Sequence, residues 1–312
     1  MTFIASVLFI RCRMSRRERP PRAEVPPPKR GRGFVGATGS CNGVRATPRA
    51  EGWSCGRPPG SITAMPADAP DPPRHRLTRD FLLGPGFAEL IRRTSPNTHI
   101  LTDAERTASL QAVLDARPEH GDGLWVFAYG SLIWNPTFHY RARRVASIAG
   151  WHRAFCLASR GGRGTPENPA MLLGLLSGGS CTGAVFRVAE DDLLHELDLL
   201  WRREMVTGAY IPHWIAVEAP DGKTFGQAIA FTMNPGSPAY AGELPEAEVV
   251  RRIATACGPI GSCAEYLFHT QDGLRDLGII DPFIEQLADK VRAALDAASR
   301  TRTPETGDHN AD

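Results

Sequence analysis

No stretch of about 20 apolar residues, the length a helix needs to cross a bilayer, occurs in the 312-residue chain. The early apolar run Thr2 to Ile10 is far shorter and has no positive charge before it. A soluble protein with no membrane partner is therefore expected. The seven cysteines also lack a pattern: Cys12, Cys41 and Cys55 fall in the first part and Cys156, Cys181, Cys257 and Cys263 are scattered through the rest. Without a CxxC pair or a Cys/His cluster they argue against a metal site, and they read as reduced, small apolar core residues of a cytoplasmic protein. Familiar catalytic signatures are missing too. There is no GxSxG, no HExxH and no Walker lysine motif, and Gly161-Gly162-Arg163-Gly164 lacks the strand-to-helix setting of a dinucleotide site. His139, His152, His195, His213 and His269 lie far apart, with no ligand spacing. Neither a repeat nor a coiled-coil register is present.

Charge is present but unevenly placed. Residues 1–64 hold 12 Arg and Lys against 3 Glu, a net +9, and the remainder carries −7, so the overall +2 hides a basic tail on a mildly acidic body. The tail, rich in Pro, Gly and Arg, has too little apolar content to offset the entropy of ordering and is expected to be disordered. It reads as a phosphate-binding arm, as a targeting segment, or as the product of a start assigned too far upstream. The last reading is preferred, because Met65-Pro66-Ala67-Asp68 opens a second, ordinary beginning, and it leaves no nucleic-acid partner expected. Residues 65–121 read as a partly ordered lead-in with helical pieces at Leu77 to Gly84, Ala88 to Arg93 and from Thr102 to near Ala116. The folded body is expected over 122–299, with a disordered polar tail at 300–312.

Within the body, Leu124-Trp125-Val126-Phe127-Ala128-Tyr129 reads as a buried strand that Gly130-Ser131 breaks. Arg144 to Phe155 alternates as a strand with one buried face, and Arg160 to Pro169 is a loop. Ala170 to Leu176 and Cys181 to Val188 read as two strands joined by the turn Ser177-Gly178-Gly179-Ser180. A helix from Asp191 to Arg203 follows, with Leu193, Leu197, Leu200 and Trp201 on one face. Two strands, Tyr210 to Glu218 and Thr224 to Met233, meet at Asp221-Gly222. Helices at Pro245 to Ala256, Ser262 to Leu277 and Pro282 to Ala298 complete an α+β domain of ample size for one core.

Two features carry candidate chemistry. A loop at a strand's carboxyl end, here Tyr129 to Leu132, can aim backbone N–H groups at a carboxylate or phosphate, although a strand ending in Gly-Ser is also an ordinary turn. Glu204 lies at the end of the Asp191–Arg203 helix, where the helix dipole disfavours its charge and pushes its pKa up toward a useful general base. The plainer alternative is a surface glutamate paired with Arg202 or Arg203.

The segments Phe127-Ala128-Tyr129-Gly130-Ser131-Leu132-Ile133-Trp134, Gly150-Trp151-His152-Arg153-Ala154-Phe155, Arg163-Gly164-Thr165-Pro166-Glu167, Gly183-Ala184-Val185-Phe186-Arg187, Trp201-Arg202-Arg203-Glu204 with Gly208-Ala209-Tyr210, and Glu265-Tyr266-Leu267 occur in this order. Over about residues 122–295 the chain resembles the ChaC-like glutathione-specific γ-glutamylcyclotransferases. That resemblance implies a mixed β-barrel or sheet of about six or seven strands with packed helices, and cleavage of glutathione to 5-oxoproline and cysteinylglycine without metal or organic cofactor. It maps the catalytic glutamate onto Glu204. It maps the substrate loop onto Val126, Phe127, Ala128, Tyr129, Gly130 and Ser131, with Leu132 following, and makes Arg163 and Glu167 contacts to the leaving part of the substrate. Two departures stand out: Ala128 and Ala209 replace glycines, and the segment after Glu204 is one residue longer than the usual form. Related enzymes acting on other γ-glutamyl amino acids or amines, and a non-catalytic γ-glutamyl sensor, are the competing classes. A monomer is expected.

Overall fold

The computed structural model describes residues 77–118 and 123–302. The basic tail 1–64, the start of the lead-in and the polar end beyond residue 302 lie outside the described residues. In chain order the main elements begin with α1 (Arg79–Leu83), α2 (Gly86–Thr94) and α3 (Asp103–Asp115). Then come β1 (Gly123–Ala128), α4 (Ser131–Trp134), β2 (Ala142–Ser159), β3 (Ala170–Ala189), α5 (Leu193–Glu204), β4 (Tyr210–Glu218) and β5 (Thr224–Met233). The C-terminal part holds α6 (Glu246–Thr255), β6 (Cys257–Gly258), β7 (Gly261–Ser262), α7 (Cys263–Arg275) and α8 (Pro282–Arg302).

Five strands close a barrel in the order β1-β3-β2-β4-β5, and β6 pairs with β7 in a separate two-stranded ribbon. The barrel is mixed: β1 runs antiparallel to β3 and parallel to β5. Leu124, Val126, Phe127 and Ala128 are all buried, as a nearly unbroken apolar run requires of a strand with neighbours on both edges.

One predicted boundary is wrong. Ala170 to Leu176 and Cys181 to Val188 are halves of the single strand β3, and Ser177-Gly178-Gly179-Ser180 is not a reversal. The β2–β3 ladder runs from Ala142↔Arg187 to Ser159↔Ala170, slipping register between Ala149 and Trp151. At that slip Gly150 (φ 80°) on β2 lies near Gly178 (φ 97°) and Gly179 (φ 69°) on β3. All three take the left-handed conformation that glycine adopts without steric cost, so both long strands bend together there. The true hairpin connection is the loop 160–169.

The helices bury their apolar faces against the barrel. On α5, Leu197, Leu200 and Trp201 are buried, and Trp201 meets Phe231 of β5 edge-on with centroids 5.2 Å apart. Removing such large buried side chains from water contributes roughly 1.5–3 kcal/mol each. The helices before β1 join the same core through Leu82, Leu110 and Val113. Polar bonds fix them: Arg79 of α1 donates to both oxygens of Glu196 on α5 at 2.6 and 2.8 Å, and Trp214 Nε1 donates to the Val113 carbonyl at 2.8 Å. A capping box between Thr102 and Glu105 starts α3, as the Thr102-Asp103-Ala104-Glu105 sequence predicts. Helix α8 runs about one turn past the predicted end at Ala298. Among the described residues no helix is long and apolar enough to cross a membrane, and Cys156, Cys181 and Cys263 are free and buried.

Candidate active site

Pairing of β1 with β5 covers Trp125 and Val126, whereas pairing with β3 continues through Ala128. Beyond Ala128 the chain leaves the ladder and turns through Tyr129 and Gly130 into α4. Val126, Phe127, Ala128 and Leu132 have buried side chains that anchor the turn in the core. The turn itself is held at three points. Tyr129 Oη donates to the Phe231 carbonyl at 2.7 Å, Arg153 Nε donates to the Tyr129 carbonyl at 2.9 Å, and Arg203 Nη2 donates to Ser131 Oγ at 2.9 Å.

Gly130 is glycine for lack of space, not for its φ of −143°. A Cβ there would lie 2.9 Å from Tyr266 Oη and 3.5 Å from Leu173 Cδ1. The Tyr266 ring is buried and its hydroxyl accepts the Leu173 N–H at 3.3 Å, so it cannot swing aside freely. Gly130→Ala is expected to lower stability by about 1–3 kcal/mol, the usual cost of overpacking. Urea denaturation checks this, and an unchanged midpoint would show that Tyr266 yields without cost.

Glu204 ends α5 with its side chain only 13% exposed. The plainer alternative is therefore wrong about exposure and right about the ion pair, which forms with Arg203. Arg202 turns to Asp198 instead, at 2.7 Å, and Glu204 Oε1 takes Arg203 Nε at 2.9 Å. Arg203 is itself buried, and its guanidinium also donates to Ser131 Oγ, to Thr137 Oγ1 at 3.2 Å and to the Asn135 carbonyl. One planar group thus binds the Glu204 carboxylate and the Ser131 hydroxyl together. Burial holds the Glu204 pKa above the usual carboxylate value, against the opposing charge and hydrogen bond of Arg203. The direction is the one the helix-end position predicts, but desolvation is the main cause.

Three tyrosines complete the surroundings. Tyr210 Oη donates to the Leu173 carbonyl at 2.9 Å, while Tyr266 Oη receives the Leu173 N–H at 3.3 Å. Burial raises the pKa of all three phenols, and the negative charge of Glu204 adds to the effect on each. They stay protonated at neutral pH, leaving Glu204 as the group able to exchange a proton within this cluster.

Arg163, in the loop between β2 and β3, is largely buried and donates to the Ser262 carbonyl at 2.7 Å. Its guanidinium lies 5.8 Å from the ring centres of both Trp134 and Tyr266. Its carboxylate neighbour is Glu265, at 3.8 Å. Glu167 lies exposed on the same loop, outside the cluster. No role falls to Arg153, Tyr210 or the hydroxyl of Tyr266 in the sequence, and Arg203 enters there only as one of two possible partners of a surface Glu204. A polar residue inside an otherwise apolar strand or helix pattern, as Arg153 is in Ala149 to Leu157, was the available signal. Among the described residues no group of three or more His, Cys, Asp or Glu side chains is placed to hold a metal ion.

The family model for ChaC-like protein matches residues 124–294, more than half of the chain. The glutathione-specific gamma-glutamylcyclotransferase of Escherichia coli K12 is 40% identical over 220 residues, covering 70% of this chain and 94% of that protein. Gamma-glutamylcyclotransferase 2-1 of Arabidopsis thaliana is 35% identical over 55% of this chain and 84% of its own length. In fold, the chain resembles the crystal structure of a yeast gamma-glutamyl cyclotransferase specific to glutathione, with a TM-score of 0.52 at 23% identity, over 55% of this chain and 97% of that one. The match spans the barrel, the β1–α4 turn and Glu204, and the chain belongs to the ChaC-like protein family.

Proposed function

We propose that the chain is a glutathione-specific γ-glutamylcyclotransferase that converts glutathione to 5-oxoproline and cysteinylglycine. The observation that carries this reading is a largely buried carboxylate, Glu204, held on the same guanidinium as the Ser131 hydroxyl of the β1–α4 turn. The reaction is an intramolecular aminolysis. The α-amine of the substrate attacks its own γ-amide carbonyl carbon, a C–N bond forms to close the five-membered ring, and the C–N bond to the cysteine breaks. A tethered nucleophile needs mainly to be folded into a ring-like pose, which removes much of the entropic barrier.

That amine, with an ordinary pKa near ~8, is largely protonated at neutral pH. Glu204 in its ionised form takes a proton from the amine as the new bond forms and returns one to the departing cysteine nitrogen. The backbone N–H groups of the turn hold the γ-glutamyl end and face the oxygen on which negative charge develops. Arg163, beside the Tyr266 ring, suits the cysteinylglycine portion; Glu167 is too exposed to share that role without movement of its loop. Nucleophile and proton shuttle are thereby supplied by substrate and protein, so the chemistry calls for neither metal nor organic cofactor. The reading carries with it a monomeric enzyme of the cytoplasm.

Incubation of the purified chain with glutathione is expected to yield 5-oxoproline and cysteinylglycine in equal amounts, measured by mass spectrometry. A folded protein that forms neither product refutes the proposal. A panel of γ-glutamyl amino acids and amines run alongside separates glutathione specificity from a broader cyclotransferase.

A further inference from the structure

Arg153 plays no part in the proton transfers above, yet it is a buried cation with a partner for each of its nitrogens. Nε donates to the Tyr129 carbonyl at 2.9 Å, Nη2 to the Thr182 carbonyl at 2.7 Å, and Nη1 to Asp281 Oδ2. Its side chain is 2% exposed. Asp281 in turn caps α8, its Oδ1 accepting the N–H groups of Phe283 at 3.0 Å and Ile284 at 3.2 Å. The guanidinium thus ties the substrate turn to β3 and to the start of the last helix.

The bond to Tyr129 bears on chemistry because of where it falls. A trans peptide unit is planar, with its C=O and N–H pointing in opposite directions. Fixing the Tyr129 carbonyl therefore fixes the direction of the Gly130 N–H, which points away from Arg153. We propose that Arg153, held by Asp281, is a positioning residue that orients the Tyr129–Gly130 peptide so that the Gly130 N–H faces the reacting carbonyl oxygen. This inference rests on the function proposed above. Charge on that oxygen grows only as the ring closes, so a misdirected donor lowers kcat more than it raises KM.

The test uses the full chain with glutathione. Arg153→Lys keeps the positive charge and the apolar stem, but one ammonium cannot span Tyr129, Thr182 and Asp281 together. Asp281→Asn keeps the helix cap, since an asparagine Oδ1 still accepts from Phe283 and Ile284, while removing the charge that holds Arg153. For Arg153→Lys kcat is expected to fall about 10- to 100-fold, short of the roughly 10²–10³-fold lost when an oxyanion donor is deleted outright, with KM changed by less than about threefold. Asp281→Asn is expected to lose kcat in the same direction by a smaller factor. The double variant is expected to fall no lower than Arg153→Lys alone, because both substitutions act through one peptide plane. Thermal denaturation by circular dichroism establishes that each variant is folded. If Arg153→Lys fails to fold, Asp281→Asn decides: a lowered kcat in a folded protein supports the positioning role, and a parental kcat overturns it. Parental kcat in both variants, multiplicative losses in the double variant, or a change confined to KM also overturn it. A parental chain without cyclotransferase activity would instead refute the proposed function, a result distinct from all of these.

Discussion

Glu204→Gln is expected to lower kcat for glutathione by about 10²- to 10⁴-fold, the range that a positioned general acid–base supplies. Glutamine is nearly isosteric, and its amide oxygen can still accept from Arg203 Nε, which Glu204 Oε1 meets at 2.9 Å. The buried guanidinium keeps a partner, and the substituted site loses a carboxylate that burial disfavours in its charged form. Folding stability is therefore expected to stay within about 1 kcal/mol of the parent, as is usual when one hydrogen-bonded partner replaces another. Isothermal titration with glutathione, thermal denaturation and product formation together read the three parts of this expectation. If kcat falls less than tenfold, another group moves the proton and Glu204 loses its role. A γ-glutamyl sensor without turnover would show the same binding in both proteins and product from neither.

Much of the fold was legible because its signals are local. The Leu193, Leu197, Leu200 and Trp201 stripe gave α5, and Thr102 with Glu105 gave the start of α3 through a capping box that forms as drawn. The β3 error has a local cause as well. Ser177-Gly178-Gly179-Ser180 carries every mark of a two-residue hairpin turn, and both glycines do take positive φ. Whether such a pair reverses a strand or bends it depends on what lies across the ladder. Here β2 carries its own glycine, Gly150, near the same point, and the ladder resumes beyond it. That partner is about 28 residues away in sequence, outside any local pattern. The parallel β1–β5 pairing was hidden for the same reason.

The site divides along a similar line. Glu204 drew attention by its place at a helix end, but nothing near it in sequence says that it is buried. Its surroundings come from Tyr129 after β1, Tyr210 at the start of β4 and Tyr266 on α7, which meet only when the barrel closes. The family motifs named segments, not contacts: Arg203 sits inside Trp201-Arg202-Arg203-Glu204 with no mark to separate it from Arg202. The difference is helical phase. Arg202 points outward to Asp198 one turn back, and Arg203 points inward to the turn after β1.

That inward arginine makes the second large prediction. Arg203→Met keeps length and apolar volume but deletes every donor of the guanidinium. Breaking a buried ion pair by removing one partner costs about 3–5 kcal/mol, so the melting temperature is expected to fall clearly. A purely structural arginine would show that loss and little else. Arg203, however, holds the Glu204 pKa down by its charge and its hydrogen bond. Without it, burial acts unopposed and the Glu204 pKa rises further. The base works only when ionised, so activity is present above its pKa and lost as the pH falls through it. A higher pKa therefore moves the acid limb of the kcat/KM profile to higher pH, and activity at neutral pH falls with it. Ser131 and the Asn135 carbonyl lose their donor at the same time, which loosens the turn and raises KM for glutathione. Arg203→Lys separates the two contributions. A lysine ammonium restores positive charge beside Glu204 and is expected to return the acid limb toward the parental pH, but it cannot bind carboxylate and hydroxyl in one plane, so KM stays high. If the acid limb of Arg203→Met matches the parent while the melting temperature drops, Arg203 braces the fold and does not tune the base.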